Sequence, residues 1–149
     1  MKLNYEIKIN SPREVVWEKM MDKSIYNDWA KAFSPDSTYE GEWKEGGEMI
    51  FYDPNNHGGT KVVFDVFKKP EKTIARHIAM VDTNKKEIEE YDEVMKKWIG
   101  TIEEYTFVDN GDNTTTLSID METDEQFKEM FDNSWPKALE LFKDICESK

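Results

Sequence analysis

Cysteine and histidine are nearly missing from this 149-residue chain, which has one of the first and two of the second. A lone Cys146 excludes an internal disulfide. His57 and His77 fall in no metal-ligand spacing with each other or with the cysteine, so no metal site is expected. The chain also lacks a nucleophile elbow, a P-loop, a dinucleotide fingerprint and a two-histidine metal helix, and no cofactor is expected. Positive charge is short as well: 20 lysines and arginines stand against 32 aspartates and glutamates, a net charge of -12. That balance repels phosphate backbones and anionic lipid, and no basic cluster offsets it, so neither nucleic acid nor stable membrane association is expected. No apolar run is long enough to span a bilayer, and MKLNYEIKIN has no apolar leader core, so a cytoplasmic protein is the expectation. Glycine and proline are few, and no stretch rich in them divides the chain. Residues 1–149 therefore read as a single domain.

Large aromatic side chains are plentiful, with five Trp, eight Phe and six Tyr, and these supply a core despite 35% charged residues. Leu3, Tyr5, Ile7 and Ile9 alternate with polar residues and predict a half-buried strand. Ser11-Pro12-Arg13-Glu14 has the form of a capping box with proline in the first turn, so a helix carrying Val16, Trp17, Met20 and Met21 starts there. A second short helix presents Ile25, Tyr26, Trp29 and Phe33 before Ser34-Pro35 ends it. From Thr38 the period returns to two. Turns at Gly46-Gly47, at residues 53–59, at Lys69-Pro70-Glu71 and at residues 109–112 separate strands that follow one another without helical crossovers, which predicts an antiparallel sheet. Thr123-Asp124-Glu125-Gln126 reads as another capping box. The helix after it buries Phe127, Phe131, Trp135, Leu139 and Phe142, runs for about 24 residues or roughly 36 Å, and is kinked or split at Pro136.

The expected fold class is therefore α+β: a curved antiparallel sheet of six or seven strands wrapped around a long C-terminal helix, with two short helices after strand one. The stretch INSPREVVWEKMMDKSIYNDW, the Gly46-Gly47 turn, the hairpin ending in Asn113-Thr114 and the helix with Trp135, Leu139 and Phe142 resemble the START-like, SRPBCC superfamily. This superfamily has the helix-grip architecture of the birch pollen allergen. Within it, the residues are most similar to the group named after the activator of the heat-shock chaperone ATPase. The resemblance spans essentially the whole chain and implies a deep cavity between sheet and long helix. In relatives such a cavity binds lipids, hormones or polycyclic small molecules, and in some branches it catalyses cyclisation or hydration. The resemblance carries no catalytic motif onto this sequence.

Candidate ligand-binding residues on the presumed inner face are Trp29, Tyr39, Phe51, Phe64, Tyr105 and Trp135, alongside Tyr5 and Phe107, each also suited to plain core packing. Arg76 interrupts the apolar face of Ile74, Ile78 and Met80, and Glu103 interrupts that of Tyr105 and Phe107. On neighbouring strands the two charges either pair inside the cavity and orient a ligand, or both point to solvent. His77, beside Arg76, reads as a surface strand histidine that would act as acid or base only if turned inward. Three functions fit: a binding protein for a hydrophobic or amphipathic small molecule, a cavity enzyme of cyclase, dehydratase or hydrolase type, or a chaperone-interacting module. The segment 82–97 is longer than a turn. Its Ile88, Tyr91, Val94 and Met95 at helical spacing predict a lid over the cavity or the contact of a homodimer, with a solvated loop as the remaining alternative.

Overall fold

A computed structural model describes residues 1–148. Seven strands, β1 (Lys2–Ile9), β2 (Thr38–Gly41), β3 (Glu48–Asp53), β4 (Gly58–Lys68), β5 (Lys72–Val81), β6 (Ile102–Asp109) and β7 (Thr115–Glu122), form one antiparallel sheet in the order β1-β7-β6-β5-β4-β3-β2. Helices α1 (Arg13–Met20) and α2 (Lys23–Ala30) follow β1, α3 (Glu93–Trp98) lies between β5 and β6, and α4 (Lys128–Glu147) follows β7. The architecture is the α+β helix-grip arrangement that the sequence predicts. No helix among the described residues is long and apolar enough to cross a membrane.

Two irregularities curve the sheet. Between β4 and β5 the register shifts at Asp65 and at Ile78, each left without a partner opposite. An unpaired residue bends its strand and increases the local twist, which turns a flat sheet into a trough. At the bend from β3 to β4 the chains approach so closely that a Cβ on Gly59 would lie 1.9 Å from the Phe51 carbonyl oxygen, a contact only glycine avoids.

Helix α4 lies in the trough. Phe131, Trp135, Ala138, Leu139, Phe142 and Cys146 are buried along one side, against Leu3 and Ile9 of β1, Leu117, Ile119 and Met121 of β7, and Trp29 of α2. Each large side chain so buried contributes roughly 1.5–3 kcal/mol. Pro136 does not split the helix, which runs unbroken for 20 residues, or roughly 30 Å. It is exposed, so the carbonyl deprived of its partner one turn earlier faces water.

Both predicted capping boxes are replaced by other contacts. Ser11 makes no cap on α1; its hydroxyl donates instead to the Cys146 carbonyl at 2.8 Å, satisfying one of the orphan carbonyls in the last turn of α4. At the other end Asp124, not Thr123, is the cap: its carboxylate accepts from the Gln126 N–H at 2.9 Å and starts a short 3-10 turn at Glu125–Phe127.

Candidate ligand cavity

Between the concave face of the sheet, α2 and α4 lies a cavity of about 360 Å³. Strand alternation and helical spacing together decide its walls. Trp29 comes from the last turn of α2 and Trp135 from the middle of α4, their rings stacked at 6.4 Å. Phe51 of β3 and Phe64 of β4 close one side, and Tyr105 of β6 meets Trp135 edge-on at 5.7 Å. The partly exposed Met130 and the loop residue His57 also line the cavity, which therefore reaches the surface beside the N-terminal half of α4. The indole N–H groups of Trp29 and Trp135 are buried with no acceptor among the described residues, a condition that costs about 1–3 kcal/mol each.

Polar groups gather on the floor, where β4, β5 and β6 run side by side. His77, only 3% exposed, contacts the Thr60 hydroxyl through Nδ1 at 2.8 Å and the Glu103 carboxylate through Nε2 at 3.3 Å. The Trp98 indole N–H donates to the same Thr60 oxygen at 3.0 Å, and the Tyr105 hydroxyl donates to Glu103 at 3.4 Å. One assignment of hydrogens satisfies the whole chain: Trp98 donates to Thr60, Thr60 to Nδ1, and Nε2–H to Glu103. Burial first, and the nearby Glu103 charge second, push the pKa of the Tyr26 and Tyr105 hydroxyls well above the ordinary tyrosine value, so both remain neutral.

At the β3–β4 turn Asp53 is buried but fully occupied. Its carboxylate accepts from the Ser34 hydroxyl, the Asp36 and Asn55 backbone N–H groups and the Asn56 amide. Burial alone would raise its pKa. The hydrogen bonds outweigh burial and hold the carboxyl well below the usual aspartate range.

Of the eight residues expected at the site, Trp29, Phe51, Phe64, Glu103, Tyr105 and Trp135 line the cavity. Tyr39 does not: it is buried behind the wall, where its hydroxyl accepts from the Trp43 indole at 3.3 Å. Arg76 points the other way, to the outer face, where its Nε and Nη2 donate to the two Asp65 oxygens at 3.0 and 3.1 Å. Neither arrangement left open by the sequence occurs, neither an Arg76–Glu103 pair nor both charges in solvent, because Glu103 stands opposite Ala75, and Arg76 opposite Ile102. The inner face of β5 is Thr73, Ala75, His77, Ala79 and Val81, all buried. His77 is thus an interior group, not the surface histidine that its neighbour Arg76 suggested.

The segment 82–97 is mostly not helical. Its Ile88 N–H donates to the Met80 carbonyl, and the Tyr91 hydroxyl accepts from the Met80 N–H, so it folds back on the end of β5. Only Glu93–Trp98 forms a helix, capped by Asp92, and Val94 on it is exposed. Trp98, which sequence reasoning passed over, is what the segment delivers: it stacks on Phe131 at 5.8 Å and lies 4.6 Å from the His77 ring.

No protein-family model matches the chain. No curated protein matches it either. Solved structures do. A protein from Mesorhizobium loti is 11% identical with a TM-score of 0.73, covering 97% of this chain and 96% of its own. The Aha1 dimer from Colwellia psychrerythraea is 15% identical with a TM-score of 0.71, covering 99% and 96%. An HSP90 activator from Plasmodium falciparum is 17% identical with a TM-score of 0.66, covering 97% and 95%. The fold is thus of the helix-grip class. More narrowly, the fold is similar to that of the Aha1 dimer subunit and of the HSP90 activator.

Proposed function

We propose that this protein is a cytoplasmic binding protein that holds one apolar or amphipathic small molecule in the cavity between sheet and α4. The observation that carries this reading is the distribution of groups: about 360 Å³ walled largely by aromatic rings and methionines, with the polar side chains gathered in two groups, one around Asp53 and one around His77. Apolar walls supply affinity and a few fixed polar groups supply orientation. The test is titration with prodan, a neutral dye whose emission shifts in apolar surroundings. Saturable binding of one dye per chain is expected. Ala75→Trp, which fills the floor of the cavity, should weaken it at least tenfold with the far-UV circular dichroism kept. No saturable binding, or binding indifferent to Ala75→Trp, overturns the reading.

A second reading has one observation in its favour, the likeness in fold to an HSP90 activator and to a dimeric Aha1. On that reading the chain acts on a chaperone ATPase, with a second copy docking through residues 82–97. Stimulation of a chaperone ATPase by the purified chain and a dimeric mass in light scattering support it; an inert ATPase and a monomeric mass count against it.

A further inference from the structure

We propose that the cavity selects an organic cation, a protonated amine carried on an apolar or aromatic body, with Glu103 as its counter-ion. This rests on the ligand-binding reading above and names the ligand class. The argument is a charge inventory. Two carboxylates, Asp53 and Glu103, line the cavity, together with His57 and His77, and no lysine or arginine lines it. The two carboxylates differ in what remains to them. A carboxylate offers about four acceptor positions. Asp53 receives four donors and has nothing left for a ligand. Glu103 receives two, at 3.3 and 3.4 Å, both longer than an ordinary hydrogen bond to a carboxylate. Its remaining capacity is met by a donor, and best by a charged one.

The surroundings discriminate in the same direction. Tyr105, whose hydroxyl meets Glu103, packs edge-on against Trp135 in the same cavity wall, and aromatic faces attract cations through their quadrupoles. An anionic ligand, such as a fatty acid, would bring a second negative charge next to Glu103 with no lysine or arginine in the lining to compensate, and a buried unpaired charge costs several kcal/mol, roughly. A neutral alcohol gains only a hydrogen bond. Long-range charge adds to this, because a chain of net charge -12 concentrates cations near its surface.

Competition against bound prodan by three matched compounds, naphthylethylamine, naphthylethanol and naphthylacetate, tests the proposal. The amine should displace the dye at a concentration at least tenfold below that of the alcohol, with the acid weakest. N-acetylation of the amine, which removes its charge, should abolish the advantage. In Glu103→Gln the ratio of amine to alcohol affinity should fall to about one. If the wild-type chain binds alcohol and amine alike, or if N-acetylation leaves the advantage intact, the cation reading is overturned while the cavity reading stands. If Glu103→Gln keeps the preference, the proposal is overturned for Glu103 as counter-ion. Absence of prodan binding itself overturns both. The acetylated compound acts on the unaltered protein, so the proposal stays falsifiable even if the variant does not fold.

Discussion

Asp53 shows how one buried carboxylate ties pH to stability. Its carboxyl is more acidic in the folded chain than the ordinary aspartate value of 3.8. The stabilisation it provides is therefore complete above that value, where the group is ionised in both states, and it declines as the pH falls toward the lower folded value. Asp53→Asn should flatten the loss of stability below about pH 4, measured by urea unfolding across the acid range. Asp53→Ala leaves the Ser34 hydroxyl and two backbone N–H groups without their acceptor, and should lower the unfolding free energy by about 2–3 kcal/mol at neutral pH. A second buried residue is chemically quiet: burial pushes the Cys146 thiol up to about 12, so a thiol at the end of α4 serves as a small apolar side chain.

Strand β5 explains why the candidate site was only partly legible. A reader of hydrophobic patterns assigns the bulky face, Ile74, Ile78 and Met80, to the interior. A cavity inverts that rule, since space is made by small and polar side chains, and the inner face carries Thr73, Ala75, His77 and Ala79. The bulky residues lie half-buried on the outer face beside Arg76. Because strand side chains alternate, one wrong choice misplaced Arg76 and His77 together. By contrast β1, β7 and the C-terminal half of α4 pack into a solid core, where the larger residue does mark the inside, and their buried faces follow the sequence period. The caps failed for another reason: a serine before a helix can accept from a local backbone N–H or donate to a distant carbonyl, and sequence spacing sees only the local partner. Ser11 chose the C-terminal turn of α4, across a separation of 135 residues. Ser11→Ala should therefore destabilise the chain by about 1 kcal/mol, read from the urea midpoint. It should speed amide exchange in the last turn of α4 and not in α1. Faster exchange in α1 instead would restore the local capping reading.

For the molecule as a whole, the element order, the antiparallel sheet and the long helix were readable because turns and alternation are local signals, whereas the arrangement of charge is a global one. Excess acidic residues repel one another in the compact state. Raising sodium chloride from about 10 to 150 mM, which shortens the Debye length to about 8 Å, should raise the melting temperature by a few degrees, observed by calorimetry. A fall would mean that the surface ion pairs, such as Lys61 with Glu48 and Glu87, outweigh the general repulsion. The sheet order carries a last consequence, for time. Strand β1 has a single neighbour, β7, and Lys2 pairs with Glu122. On a ribosome the first strand emerges early and waits with Leu3, Tyr5, Ile7 and Ile9 uncovered until almost the whole sheet has been synthesised. At about 5–20 residues per second that wait is on the order of ten seconds. The strands β2 to β5 have neighbours close in sequence and can pair during the wait, so synthesis itself imposes an order of events, with the N-terminal strand among the last to be placed.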